Sequence, residues 1–100
     1  MSDREGFTIE READGPPVRF VCTGELDLAG RPAVAEALTP VAADIELDFA
    51  AVSFLDSSGI GVLVAQQARL RDAGHRLRLV HIQAVPRRSL ETLGIIDELT

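Results

Sequence analysis

Residues 52–63, Val-Ser-Phe-Leu-Asp-Ser-Ser-Gly-Ile-Gly-Val-Leu (VSFLDSSGIGVL), mark a change from strand to helix. Ile45, Leu47 and Phe49 alternate with Glu46 and Asp48, which predicts a strand. That strand continues through Ala51 and Val52 toward Phe54 and Leu55. After Asp56 the apolar residues recur at helical spacing until Gly74, a typical residue just beyond a helix end. This junction is therefore predicted to be a strand, a loop and a helix in that order, and the rest of the chain is interpreted from it.

The remaining chain continues the alternation of strands and helices. The predicted elements are a hairpin of two strands across residues 7–22, a helix over residues 29–43 with Gly30 as N-cap, a strand near Leu77 and Leu79, a short helix from Pro86, and a last strand beginning at Ile95 and Ile96. Pro40 is expected to disturb or end the first helix near its last turn. Such alternation predicts parallel strand pairs made by right-handed crossovers. We therefore expect an α/β fold, with residues 1–100 forming a single domain whose helices cover the sheet.

The helix after the junction has one predicted apolar face. Its core-facing residues are expected to be Ile60, Leu63, Val64 and Ala68, and its outward residues Gln66, Arg69 and Asp72. This assignment treats the polar side chains as solvated.

Composition and charge exclude several classes of protein. The chain has 100 residues, 46% of them hydrophobic, and a net charge of −6 with neither Trp nor Tyr, so nucleic acid is not an expected partner. A single cysteine, Cys22, permits no internal disulfide and alternates with Phe20 as a core residue would. The charged N-terminus lacks a signal-peptide core and no segment is long enough to insert in a membrane, which predicts a cytoplasmic protein.

The sequence offers little for catalysis. The serines lie in Asp-Ser-Ser-Gly and not in the Gly-x-Ser-x-Gly pattern of hydrolases, and neither His75 nor His81 has the spacing of a base for Ser57. One cysteine and two histidines form no familiar metal pattern, and the glycines form no phosphate-binding loop. We therefore predict a protein that is not an enzyme, with no catalytic residue, metal or cofactor.

The hydroxyls after Asp56 have two interpretations. A helix cap explains the acid, because its oxygen accepts a hydrogen bond from an unpaired N–H group of the first turn. That interpretation leaves the second hydroxyl and the small Gly59 unexplained. An exposed hydroxyl at such a junction is also a candidate phosphate acceptor: the helix N-terminus favours added negative charge, whereas Asp56 opposes it.

A second acidic stretch, Gly-Glu-Leu-Asp-Leu-Ala-Gly at residues 24–30, follows the second predicted strand. It is typical of a solvated turn with Leu26 buried. If the second and third strands are parallel neighbours, however, their ends lie on one edge of the sheet. Asp27 is then expected close to Asp56 and Ser57.

Together, GELDLAG, VSFLDSSGIGVL and the later LETLGI (residues 90–95) resemble the STAS domain, named for sulphate transporters and anti-sigma-factor antagonists, across residues 18–97. Within that family, the motifs look more like the stand-alone bacterial anti-sigma-factor antagonists. The resemblance implies a mixed, mostly parallel β-sheet with helices packed mainly on one side. It also implies an anti-anti-sigma factor that regulates transcription by partner switching, binding an anti-sigma factor serine kinase and freeing the sigma factor.

The resemblance also assigns residues. Ser57 corresponds to the serine that the kinase phosphorylates to end binding, and a PP2C-type phosphatase restores the unmodified protein. The expected partner-binding residues are Glu25, Asp27, Asp56, Ser57, Ser58 and Gly59.

Two departures from the family pattern and two alternative functions stay open. Gly30 stands where a Ser or Thr cap is common, and the chain ends soon after the third helix, where related domains continue with a strand and a helix.

One alternative is a STAS adaptor subunit of a lipid or anion transporter, which needs no phosphorylation. The other is a hydrolase using Ser57. The oligomeric state and the particular sigma factor are not predicted.

Overall fold

The four strands within residues 6–100 lie side by side in chain order. The computed structural model describes residues 6–100, with the elements β1 (Thr8–Ala13), β2 (Val18–Leu26), a short 3-10 turn (Leu28–Gly30), α1 (Arg31–Leu38), β3 (Ile45–Leu55), α2 (Ser57–Asp72), β4 (Leu77–Val80), α3 (Ala84–Thr92) and α4 (Ile96–Leu99). The sheet order is β1-β2-β3-β4, with β1 antiparallel to β2 and the other pairs parallel. The predicted mixed, mostly parallel sheet is confirmed.

The pairing of β2 with β3 determines where the two motif stretches meet. The parallel register runs from Val18 opposite Ile45 to Leu26 opposite Leu55, so both strands end at the same edge of the sheet. The amide of Asp56 donates to the carbonyl oxygen of Leu26 at 3.3 Å and ties the two strand ends together. Each loop that follows therefore starts from a fixed position.

One face of the sheet forms the core, and the helices cover that face. Buried residues alternate along the strands, as Phe20 and Cys22 do in β2, and they pack with buried Leu and Val residues of α1 and α2. The opposite face carries a row of charged residues, in which Arg19 Nε lies 3.2 Å from Glu46 Oε2 and exposed Arg78 pairs in register with Glu46. Burial on one face of each strand gives the alternation seen in the sequence.

Helix α3 takes the place of a strand beside the second half of β3. β4 pairs with β3 only as far as Val80 opposite Asp48, and the next residue, His81, has a positive φ of 58° that turns the chain away. Gln83 Nε2 then donates to the carbonyl oxygen of Ala50 at 2.7 Å, and α3 packs against β3. A side chain thus satisfies an edge carbonyl that a longer β4 would have used.

Three predicted boundaries differ from the structure. The strand expected at Ile95 and Ile96 is wrong: Ile96–Leu99 is helical, because this turn directs Leu99 into the core. Helix α1 ends at Leu38 and not near residue 43, since Pro40 has no N–H group to continue the helical hydrogen bonds. Helix α3 begins at Ala84, which leaves Pro86 in its first turn, where a missing N–H is tolerated.

The outward orientation expected for Gln66 and Arg69 is also wrong. Gln66 is buried and donates from Nε2 to Thr39 Oγ1 at 3.1 Å. Arg69 donates to the carbonyl oxygens of Leu38 and Val41, at 2.9 and 3.2 Å, and to Gln66 Oε1 at 3.0 Å. Leu38 is the last residue of α1, and its carbonyl oxygen also accepts from the amide of Val41 at 2.9 Å, so α2 adds side-chain donors at the C-terminus of α1.

Replacing Arg69 with alanine should lower the free energy of unfolding by about 1–3 kcal/mol, because the carbonyl oxygen of Val41 loses its guanidinium donor and that of Leu38 keeps only the Val41 amide. The matched control is Arg71→Ala on the same helix, where the side chain is exposed and the change should stay within about 0.5 kcal/mol. Urea denaturation of both variants measures the difference. Equal stabilities would show that the Arg69 hydrogen bonds contribute nothing.

Candidate functional site

The junction between β3 and α2 is held by Asp56. This residue is the N-cap of α2, with extended backbone angles (φ −105°, ψ −177°), and its Oδ1 accepts a hydrogen bond from the amide of Gly59 at 3.0 Å. Its carbonyl oxygen accepts from the amide of Ile60 at 2.9 Å, the first hydrogen bond of the helix. The helix cap predicted from the sequence is confirmed, and it fixes the direction in which α2 leaves the sheet.

Gly59 is small because α2 begins in contact with the end of β2. A Cβ atom at this position would lie 2.5 Å from the carbonyl oxygen of Leu26, 2.7 Å from its Cγ and 3.0 Å from Leu55 Cδ1. Separations below 3.0 Å to backbone atoms are not tolerated, so no other residue fits without moving the helix. Gly59 is buried and allows the first turn of α2 to pack against the end of β2. It has no side chain that could contact a partner.

Asp27 holds the neighbouring loop in the same manner. It is the N-cap of the 3-10 turn, and its Oδ1 accepts from the amide of Ala29 at 3.0 Å. Because Leu26 and Leu55 are in register, Asp27 and Asp56 occupy equivalent positions at the ends of two neighbouring parallel strands. The predicted proximity of the two motif stretches is confirmed at the level of the backbone.

Ser57 occupies the exposed first position of α2. Its side chain makes no hydrogen bond with any part of residues 6–100, whereas Ser58 is half-buried. Negative charge surrounds the position: Asp27 and Asp56 follow the two strand ends, and exposed Glu25 precedes them on β2. The arrangement presents a neutral hydroxyl on a rigid support inside an acidic rim.

Two large apolar side chains near this edge were not singled out in the sequence. Leu28, in the turn after Asp27, is 65% exposed, and Phe54, which pairs in register with Glu25, is 41% exposed. Exposed apolar residues beside a rigid polar loop are typical of contact surfaces for other proteins. The sequence position of Leu28 could have indicated its exposure. Leu26 continues the alternation of buried residues in β2, whereas Leu28 lies beyond the end of that strand.

Neither histidine joins Ser57. His81 Nδ1 lies 3.1 Å from Asp48 Oδ1 in the middle of β3, and His75 Nδ1 lies 3.9 Å from Asp44, before β3 begins. Across residues 6–100 no group of three or more His, Cys, Asp or Glu side chains is arranged to bind a metal ion. Nor does this part of the chain contain a helix long and apolar enough to cross a membrane.

Two side chains in the sheet have shifted pKa values. Burial, with a smaller contribution from Asp48, raises the pKa of the Cys22 thiol to about 12, so the thiol stays protonated and unreactive. The hydrogen bond from the amide of Ala50, followed by His81 and Arg19, holds the pKa of Asp48 below its ordinary value, although burial acts in the opposite direction.

The lowered pKa of Asp48 predicts a pH-dependent contribution to stability. The contribution is complete above the unfolded-state pKa of about 3.9 and is lost as the pH falls through the lower folded-state value. Asp48→Asn should therefore be less stable than the parent protein at pH 7, with the difference shrinking towards pH 3. Urea denaturation at pH 7 and at pH 3 measures this difference in stability. His81→Gln should have a smaller effect, since the Ala50 hydrogen bond remains; a larger one would contradict the stated order of causes.

Comparisons with known proteins concern the family and the fold of the chain. The family described as "Mlab, STAS domain" matches residues 9–100. A curated relative, the anti-sigma-B factor antagonist of Bacillus subtilis (strain 168), is 31% identical over 77 residues, which are 74% of this chain and 71% of the relative. The matched family region includes both loops of the site.

Solved structures share the fold at lower identity. The anti-sigma factor antagonist SpoIIAA in its unphosphorylated form has a TM-score of 0.70 at 23% identity, covering 95% of this chain and 86% of that one. The STAS domain of an antisigma-factor antagonist from Rhodobacter sphaeroides has a TM-score of 0.55 at 16% identity, covering 83% and 89% of the two chains. The murine anion transporter Slc26a9 has a TM-score of 0.60 at 15% identity, and the match covers 96% of this chain but 19% of the transporter.

Proposed function

The chain belongs to the STAS domain family, and we propose that it is an anti-sigma factor antagonist that binds an anti-sigma factor serine kinase and so frees a sigma factor. The observation that carries the proposal is the exposed Ser57 hydroxyl, held at a rigid strand-to-helix junction beside the Asp27 loop. The similarity to an anti-sigma-B factor antagonist supports the general role. The protein acts in this proposal as a regulator of transcription in the cytoplasm and not as an enzyme.

The proposed docking surface consists of Glu25, Asp27, Leu28, Phe54 and the Asp56–Gly59 loop. Leu28 and Phe54 are exposed and supply apolar area, while the acids around them suit a partner with basic residues at its rim. Unmodified Ser57 is small and neutral, so it is compatible with close packing at the centre of that surface. The caps by Asp27 and Asp56 hold both loops before binding, which reduces the entropy lost on association.

Phosphorylation of Ser57 would end binding through local charge. A phosphate adds a charge of about −1.5 to −2 at neutral pH within a rim that already contains Asp27 and Asp56. The N-terminus of α2 partly stabilises the phosphate in the free protein, because its unpaired N–H groups favour negative charge. Burying that group against the partner without matched cations is unfavourable by several kcal/mol, and a loss of only about 1.4 kcal/mol weakens binding tenfold. No change of fold is needed.

The same exposure allows the modification to be reversed. The Ser57 side chain has no hydrogen bond to break within residues 6–100, so a kinase can reach it and a PP2C-type phosphatase can remove the phosphate. The partner that binds the surface is also the enzyme that modifies it. Docking and switching therefore depend on one loop.

A binding assay tests the function. The purified anti-sigma factor kinases of the source organism, each loaded with ADP or ATP, are tested against the immobilised protein by surface plasmon resonance. One kinase should bind, and Asp27→Arg with Leu28→Glu should reduce its affinity at least tenfold. Arg88→Glu, an exposed change on α3, is the matched control and should bind as the parent does. Absence of binding to every such kinase would contradict the proposal.

A second candidate is an adaptor subunit of a lipid or anion transporter. It is favoured by the fold shared with part of the anion transporter Slc26a9. An adaptor would keep its partner whether or not Ser57 is modified. Affinity purification from cells separates the candidates: the antagonist retains an anti-sigma factor kinase, whereas the adaptor retains transporter subunits and binds them equally well after Ser57→Asp.

A further inference from the structure

A polar cavity lies between the C-terminal half of α2, the start of β4 and α4. Its volume is about 260 Å³, roughly that of eight or nine water molecules in the liquid, so it suits a small molecule. Six polar residues line it: Gln67, Arg71, His75, Arg76, Asp97 and Glu98. Ser57 and the end of α2 lie at opposite ends of a 16-residue helix, about 24 Å apart, so the cavity is separate from the proposed docking surface.

The two sides of the cavity carry opposite charges. Arg71 on α2 and Arg76 before β4 contribute guanidinium groups, and Asp97 and Glu98 on α4 contribute carboxylates. Among residues 6–100 no carboxylate lies within the 4.0 Å ion-pair distance of either guanidinium. The cavity therefore separates complementary charges that do not pair across it.

Both sides are held in place by the fold. The amide of Arg76 donates to Asp44 Oδ1 at 2.9 Å, and the carbonyl oxygen of Arg76 accepts from the amide of Ile45 at 2.8 Å. Buried Gln67 donates from Nε2 to the carbonyl oxygen of Glu98 and joins α2 to α4. Buried Leu99 anchors the same turn in the core. The backbone that carries the four charged residues is thus held in place, and their side chains are exposed at the mouth of the cavity.

These charges select the kind of ligand. An anion alone would face Asp97, Glu98 and the negative end of the α2 dipole, and a cation alone would face two guanidinium groups. A molecule with an anionic group at one end and an ammonium at the other satisfies both sides at once. We propose that this cavity binds a small dipolar ligand of the amino-acid type, with its carboxylate on Arg71 and Arg76 and its ammonium on Asp97 and Glu98.

Three probes of matched size test the proposal by NMR titration of the wild-type protein. These are γ-aminobutyrate, which carries both charges, butyrate, which has only the carboxylate, and n-butylamine, which has only the ammonium. γ-Aminobutyrate should give saturable shifts at the amides of Arg71, Arg76, Asp97 and Glu98, and none at Ser57. Each singly charged probe should bind at least tenfold more weakly, because it leaves one side unpaired.

Variants then assign the two sides. Arg71→Gln with Arg76→Gln, and separately Asp97→Asn with Glu98→Gln, should each weaken γ-aminobutyrate binding at least tenfold, whereas Arg88→Gln on α3 should leave it unchanged. The proposal is overturned if no probe gives a saturable shift. It is also overturned if butyrate binds as tightly as γ-aminobutyrate and the acid-side variant binds more tightly, since both results would indicate a plain anion site. The wild-type comparison does not depend on how any variant folds.

Discussion

Replacing Gly59 with alanine is expected to destabilise the protein by about 1–3 kcal/mol, which corresponds to a fall in Tm of roughly 4–24 °C for a domain of this size. The added methyl group would lie 2.5 Å from the carbonyl oxygen of Leu26 and 2.7 Å from its Cγ. Backbone oxygen cannot move away as a flexible side chain can, so the first turn of α2 must shift from the end of β2. Because this turn carries Ser57, partner binding should weaken as well.

Gly61 on the same helix provides the matched control. A Cβ atom at Gly61 has nothing within 4 Å, and the residue is exposed. Gly61→Ala should therefore stabilise the protein by about 0.5–1 kcal/mol, because alanine loses less conformational freedom than glycine in a helix. Thermal and urea unfolding of both variants measure the difference. Two changes of the same sign and size would show that close packing at Gly59 does not set the position of α2.

Ser57→Asp is expected to weaken binding to the anti-sigma factor kinase at least tenfold, whereas Ser57→Ala should keep an affinity within a few-fold of the parent. The aspartate adds a full charge beside Asp27 and Asp56 at the centre of the proposed docking surface, and the alanine removes only an unpaired hydroxyl. Isothermal titration calorimetry with the purified kinase measures both affinities. Neither change should unfold the protein, since the Ser57 side chain is exposed and contributes no hydrogen bond within the described residues.

Thr92→Asp controls for the added charge. Thr92 is an exposed residue at the end of α3, outside the proposed docking surface, so this variant should bind the kinase as the parent does. If Thr92→Asp weakened binding as much as Ser57→Asp, the effect would come from total charge and not from the Ser57 position. Equal binding by Ser57→Asp and Ser57→Ala would remove the basis for a charge-driven release.

Local sequence patterns were sufficient for the fold where burial on one face determines the structure. The alternation in β3 and the Asp56 cap specify the junction, and parallel pairing of β2 with β3 follows from the helix between them. The small Gly59 was noted in the sequence, but a glycine is needed there because of a contact with Leu26 of β2, more than thirty residues earlier in the chain. That contact requires coordinates, because the sequence does not say which atoms of β2 approach α2.

Tertiary contacts explain the parts that the sequence could not predict. Gln66 and Arg69 have polar side chains on a helix, which predicts solvent exposure, yet they bind groups at the end of α1. Ile95 and Ile96 are typical strand residues, but the turn that follows Gly94 is helical because Leu99 packs in the core. The cavity beside α4 depends on this same turn, so a strand assignment would have hidden it.

The central claim is that the kinase that binds the proposed docking surface also ends the interaction, by phosphorylating Ser57. The direct measurement is to incubate the protein with the bound anti-sigma factor kinase and ATP, map the phosphate by mass spectrometry, and compare the affinities of the modified and unmodified proteins for that kinase. We predict phosphate on Ser57 and an affinity at least tenfold lower after modification. Phosphate found only at other residues, or an unchanged affinity after complete modification of Ser57, would contradict the account.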